Sequence, residues 1–151
     1  MRILVDTNIL LRIAQPGSPH HHDALAALDV LDQAGHELCL VPQVVYEYWV
    51  SATRPVSVNG LEMSAEETRM SLNVLLPYYT FLDDIVGVFA EWLDLVTKHA
   101  VHGKVAHDAR YVAAMKLHGV THLLTYNVSD FSRYPHIVAL SPKDILAGRM
   151  P

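Results

Sequence analysis

The sequence predicts a three-layer α/β fold with a mainly parallel central sheet. Three observations predict it. Apolar runs of strand length occur at residues 2–5 (RILV), 38–41 (LCLV), 121–125 (THLLT) and 137–140 (IVAL). These runs are continuous rather than alternating, as strands covered on both faces require. Segments with helical spacing of apolar residues separate them, which is the pattern of crossover helices on a parallel sheet. At 151 residues the chain has the size of one domain with a sizeable core, so residues 1–151 are read as a single domain.

The elements follow in order. Residues 2–5 form a buried strand that ends at Asp6, and a loop with Pro16, Gly17, Ser18 and Pro19 comes next. From 22 to 34, Leu25, Leu28 and Leu31 recur at helical spacing, and Gly35 serves as the C-terminal stop. Residues 38–41 form the second strand. Pro42 suits the first turn of a helix that carries Val44, Val45, Tyr48, Trp49 and Ala52. Residues 54–60 are loop. Ser64-Ala65-Glu66-Glu67 is a capping box opening a helix through Leu72, Leu75 and Leu76. Residues 87–100 are again helical, ending near Gly103, so the region around 60–102 reads as a helical insertion beside the sheet. Asp108 to Leu117 is a helix stopped by Gly119, and residues 121–125 and 137–140 are strands. Ser141 caps a final short helix with Pro142 at its first position.

Composition narrows the function classes. Apolar residues make up 51% and charged residues 18%, which is globular rather than disordered. There is no apolar run long enough for a membrane span, and the N-terminus turns polar at Asp6, too early for a signal-peptide core. A single cysteine, Cys39 within LCLV, is expected to be inert core. These features point to the cytoplasm. A formal charge of −5 argues against gripping nucleic acid by bulk charge. It leaves open an enzyme that meets phosphates through bound cations.

In parallel α/β sheets, ligands bind at the carboxyl ends of the strands. Asp6 ends the first strand, and Glu47 lies in the helix after the second. Asp108 opens a helix before the third, and Asp130 follows that strand by a few residues. Four carboxylates drawn to one sheet edge repel each other, and a hard cation such as Mg²⁺ or Mn²⁺ resolves that repulsion. Such ions activate water and neutralise phosphodiester charge, which points to metal-dependent hydrolysis of a phosphate ester. Each acid also has a plain structural reading. Asp6 can cap a helix, Glu47 can pair with Arg54, Asp108 can sit at a helix N-terminus for the dipole, and Asp130 can belong to a turn. Their common topological location is the stronger argument.

The segments VDTNILL, HDARYVAAM, LLTYNVSDF and PHIVALSPKDIL, with a Glu in the helix after the second strand, resemble the PIN domain. The resemblance spans nearly the whole chain, being most specific over residues 1–13 and 103–146 and vague over 54–102. It implies a PIN-like fold and a Mg²⁺- or Mn²⁺-dependent endoribonuclease. Small single-domain members of this kind are VapC-type toxins of toxin–antitoxin pairs. It implies Asp6, Glu47, Asp108 and Asp130 as the catalytic, metal-binding acids, with Thr7, Asn8, Thr125 and Asn127 as supporting polar groups. Phe131 is expected to anchor the turn that aims Asp130. The implied partners are an RNA substrate, a cognate antitoxin and a second copy in a homodimer, with no membrane.

Other features carry less. His20-His21-His22 lacks the helix-spaced geometry of metal ligands. His102 and His107 flank Asp108 and read as surface residues. Lys104, Arg110 and Lys116 offer a basic rim to an otherwise acidic site. Trp49 and Trp92 read as core or interface. A small metal-dependent phosphatase is a rival, but Asn8 stands where a D-x-D pair needs its second acid. A non-catalytic PIN-like interaction module is the other alternative.

Overall fold

The computed structural model describes residues 1–149 and 151. Its sheet is built from β1 (Arg2–Val5), β2 (Glu37–Leu40), β3 (Thr80–Phe81), β4 (His122–Leu124) and β5 (Val138–Leu140), in the order β3-β2-β1-β4-β5. Every neighbouring pair is parallel. The helices are α1 (Thr7–Ile13), α2 (His21–Gln33), α3 (Pro42–Thr53), α4 (Ala65–Leu75), α5 (Val88–Lys98), α6 (Ala106–Leu117) and α7 (Pro142–Leu146). This is the three-layer α/β/α arrangement that the sequence predicts.

β1 occupies the centre of the sheet because Ile3, Leu4 and Val5 are all buried. Successive strand side chains point to opposite faces, so three in a row can be buried only where helices cover both. In register, Leu4 stands opposite Cys39 on one side and Leu123 on the other. Cys39 is core, and burial pushes its thiol up to about 11, so it is inert as expected. The helices close over this frame: α1 packs on α2 and α3, α2 on α7, α3 on α4, and α5 along α6. Gly35, with φ +77°, supplies the left-handed turn that ends α2 before β2.

Two elements differ from the sequence reading. Residues 7–13, passed over on the way to the Pro16 loop, form α1, which buries Ile9 and Leu10. Seven residues are too few for periodicity to show. Within the segment read as helical insertion, α4 and α5 are helices as expected, but Thr80–Phe81 adds an edge strand to β2, pairing Cys39 with Thr80 and Leu40 with Phe81. Two exposed residues carry no strand pattern of their own, and the backbone of β2 selects them. The segment is thus part of the sheet as well as of the helical layers. No described helix is long and apolar enough to cross a membrane.

Candidate active site

The carboxyl ends of β1, β2 and β4 face a cavity of about 850 Å³, lined among others by Asp6, Thr7, Asn8, Glu47, Asp108 and Asn127. Asp6 leaves β1 while still tied to the sheet, its N–H donating to the Leu124 carbonyl at 3.0 Å. It occupies the N-cap position of α1, yet its side chain makes no capping bond. Its Oδ2 instead accepts from Thr125 Oγ1 and from Asn8 Nδ2, each at 2.6 Å. Asn8 Nδ2 also reaches Thr125 Oγ1 at 3.1 Å, and its Oδ1 accepts from the Tyr126 N–H at 3.1 Å. Thr125 is fully buried behind Asp6 and in turn accepts from the Asn127 N–H at 3.0 Å. The cap-like acid, the Asn and the Thr therefore form one closed network at the end of the central strand.

Glu47 projects from the second turn of α3, where Pro42 fixes the helix start. Both of its oxygens are gripped: Oε1 accepts from Gln43 Nε2 at 2.6 Å, and Oε2 from the Tyr111 hydroxyl at 2.8 Å. The Tyr111 hydroxyl also meets Thr7 Oγ1 at 2.8 Å, and Thr7 Oγ1 lies 3.1 Å from the Val44 carbonyl. Gln43 Nε2 further donates to the His107 carbonyl at 3.0 Å, and Arg110 Nη1 donates to Gln43 Oε1 at 3.2 Å. Gln43 and Tyr111 escaped the sequence reading. Gln43 is one helical turn before Glu47, and Tyr111 one turn after Asp108; that spacing was the available signal. Arg54, the partner of Glu47 in its plain structural reading, instead donates Nη2 to the Asn59 carbonyl at 3.0 Å.

Asp108 lies in the first turn of α6, which begins two residues earlier than expected. Burial first, then the charges of Asp130 and Glu47, push its carboxyl up to about 6. Burial likewise pushes Asp6 up to about 6, with Glu47 and Asp108 adding to the rise and the Thr125 hydroxyl and the Asn8 backbone N–H opposing it. Asp130 is exposed on a 3₁₀ turn, Val128–Phe131, and does not line the cavity, although its charge is felt at Asp108. Phe131 is buried and anchors that turn as expected. The structure thus brings Asp6, Glu47 and Asp108 to one cavity and leaves Asp130 at its margin. Among the described residues, no three His, Cys, Asp or Glu side chains stand close enough to form a ready-made metal cage.

The rim differs from the expected basic group. Lys116 pairs with Glu91 at 2.6 Å and Arg110 with Asp84 at 2.6 Å, which leaves Lys104 and His107 beside Arg110 on the cavity wall. His102 is exposed and does not line it. Trp92 is half-buried and donates Nε1 to the Ala106 carbonyl at 2.8 Å, a structural role, while Trp49 is partly exposed on α3. His20 and His21 turn to different partners rather than to one centre: the His20 ring packs on Tyr126, and His21 Nδ1 meets the Arg12 carbonyl at 3.0 Å.

The sequence matches the PIN domain over residues 3–137. The chain belongs to the PIN-domain family. A search of curated proteins finds no match. Solved structures of the same fold include VapBC2 from Rickettsia felis bound to a DNA fragment from its promoter, at 16% identity and TM-score 0.68, covering 93% of this chain and 98% of that one. A toxin–antitoxin complex from Klebsiella pneumoniae is 21% identical with TM-score 0.61, covering 93% and 97%. VapC20 from Mycobacterium tuberculosis, described as a Sarcin-Ricin loop cleaving toxin, is 15% identical with TM-score 0.58, covering 80% and 86%. At these identities the likeness shows the shared PIN fold.

Proposed function

We propose that this PIN-domain chain is a Mg²⁺- or Mn²⁺-dependent endoribonuclease acting as the toxin of a toxin–antitoxin pair. One observation carries the reading. Three carboxylates from three separate elements line one cavity, and burial and mutual repulsion hold two of them near a pKa of 6. Ordinary capping or paired acids are held low by their partners, as Glu67 and Asp144 are here. Carboxylates that repel each other in a partly buried cavity suit a hard cation. The donor set is all oxygen, which fits Mg²⁺ or Mn²⁺. Mg²⁺ keeps several of its waters and is held by one or two carboxylates, so it does not need a closed protein cage.

Asp6, Glu47 and Asp108 would hold the cation, with Asp130 at the margin. Bound there, it supplies Lewis acidity that neutralises phosphodiester charge and makes water a better nucleophile. The protein's own part is positioning. Both side-chain bonds to Asp6 fall on Oδ2, so Oδ1 is free of side-chain partners among the described residues and remains able to take a ligand. Gln43 and Tyr111 fix the plane of the Glu47 carboxylate. Lys104 and His107 lie where a substrate phosphate enters. Asn127 lines the cavity as a neutral donor and acceptor. The company of structures described as a toxin–antitoxin complex and as a Sarcin-Ricin loop cleaving toxin supports an antitoxin as partner and a cleaving activity. RNA as the substrate and a homodimer as the working form complete the proposal.

The test is Asp108→Asn, measured by cleavage of single-stranded RNA with Mn²⁺ and by urea unfolding. Cleavage is expected to fall about a hundredfold or more. Stability should hold or rise, because the change relieves repulsion in the fold. A variant that loses stability and keeps cutting would make the acids structural and end the nuclease reading.

A further inference from the structure

We infer that a second, basic cavity adjoining the acid site binds a phosphate of the RNA strand flanking the cleaved bond. This rests on the nuclease reading and adds the direction in which the strand runs.

The basic cavity, of about 400 Å³, lies between α1, the start of α2, the loop after α3 and the Tyr126–Asn127 turn. It shares Asn8, Leu11, Ser51, Arg54 and Asn127 with the acid cavity, so the two form one continuous depression. Their charge differs. The first sets Asp6, Glu47 and Asp108 against Arg54, Lys104 and Arg110. Among the described residues the second has no carboxylate in its lining and carries Arg12, Arg54 and His20.

These arginines are uncompensated. Arg2, Arg110 and Arg149 each meet a carboxylate, whereas Arg12 and Arg54 make no ion pair among the described residues. Arg12 Nη1 donates to the neutral Gln15 Oε1 at 3.1 Å, and Arg54 Nη2 to the Asn59 carbonyl. Arg54 Nε is buried with no hydrogen-bond partner among the described residues. A guanidinium has five N–H donors in a fork that matches phosphate, so both retain donors for an anion.

The fold also fixes their places. The Arg54 carbonyl accepts from the Glu62 N–H at 2.9 Å, and Gly60 passes so near that a Cβ on it would lie 1.8 Å from that oxygen. Asn59, at φ +64°, makes the turn that brings its carbonyl back to the guanidinium. The His20 ring packs at 5.0 Å on Tyr126, whose hydroxyl donates to the His20 carbonyl at 3.1 Å. Asp23, exposed in the first turn of α2, is the acid felt at Tyr126.

A chain of net charge −5 repels a polyanion in general, so local cations must do the guiding. A strand with one phosphate over the acids has its neighbours a short step along, and the Asn8–Asn127 wall leads that step to Arg12 and Arg54. The proposed nuclease site next door takes a phosphodiester, so a strand seated there presents its next phosphate to the basic cavity, which favours RNA over an acidic peptide.

The experiment measures binding of a short single-stranded oligouridine in EDTA, so that nothing is cut, across a salt series. Arg12→Gln and Arg54→Gln are each expected to weaken binding about tenfold and to reduce the salt slope by about 0.7. Arg12 lies outside the loop that Arg54 organises, so Arg12→Gln stands even if Arg54→Gln fails to fold, and Arg12→Lys should recover part of the affinity. If the native chain binds RNA and the folded variants bind it equally, with the same slope, the subsite is overturned while the nuclease reading survives. If the native chain neither binds nor cuts RNA, the nuclease reading fails and the subsite with it. Variants that keep RNA but lose a poly-glutamate peptide would assign the cavity to an acidic protein segment, and the proposal would be wrong.

Discussion

The Tyr111 hydroxyl joins Thr7 to Glu47 at 2.8 Å on each side, and no single stretch of sequence displays that link. Tyr111→Phe keeps the ring and removes the link, leaving Thr7 and Glu47 each short of a partner in a largely buried place. We expect a cost of about 1–3 kcal/mol in urea unfolding and about tenfold weaker Mn²⁺ binding by calorimetry. Unchanged metal affinity would mean that Glu47 does not need holding. Asp6 gives a second residue-scale outcome. Its pKa is raised from 3.8 to about 6, so folding favours its protonated form. That stabilisation is complete below about 3.8 and is lost as the pH rises through about 6. At about 1.4 kcal/mol per pH unit, the swing is about 3 kcal/mol. The readout is the difference in stability between native chain and Asp6→Asn without metal. Glu37, Glu67 and Asp144, held low by their partners, pull the opposite way at more acid pH in both proteins. The native chain should lose ground relative to the variant between about pH 4 and 7. A constant difference would show that Asp6 ionises freely in the fold. Much of the site was legible because strand ends are marked by composition: Asp6, Asp108 and Thr125 follow or precede apolar runs. Tyr111 was not, since its partners lie 64 and 104 positions away, and Gln43 was not, because one turn before Glu47 a Gln reads as an ordinary helix residue. The plain alternative of an Arg54–Glu47 pair fails because proximity in sequence says nothing of the loop that turns Arg54 toward Asn59.

At the scale of elements, three helices begin with a residue that favours N-caps, and they diverge. Ser64 and Ser141 form full capping boxes with Glu67 and Asp144. Asp6 stands in the same position on α1 and caps nothing. Ser64→Ala is therefore expected to cost about 1 kcal/mol in urea unfolding and to leave RNA cleavage untouched. Loss of cleavage in that variant would tie α4 to the site, which its position does not suggest. The capping boxes were readable because they lie within four consecutive residues. The strand at Thr80–Phe81 was not, because it exists only by virtue of the exposed edge of β2. Helix α1 was hidden by its brevity, although Ile9 and Leu10 are buried. The longer helices showed themselves through the spacing of Leu25, Leu28 and Leu31 and of Leu72 and Leu75.

For the whole molecule, the sheet order follows from burial. The most buried strand, β1, takes the middle, and both of its neighbours deliver polar groups to the same edge. A cation entering that edge binds the folded chain and not the unfolded one. Millimolar Mn²⁺ at neutral pH should therefore raise the melting temperature, and Asp108→Asn should shrink the rise. A melting curve indifferent to Mn²⁺ would remove the main support for a metal centre. The hydrogen bond from Thr125 to Asp6 spans 119 positions, nearly the length of the molecule. A ribosome making this chain releases Asp6 119 positions ahead of Thr125. Any product broken off before Thr125 keeps its leading acid without the hydroxyl that holds it. The site is thus completed only after β4 has been made, a timing well suited to a protein whose proposed substrate is the kind of molecule that is translating it.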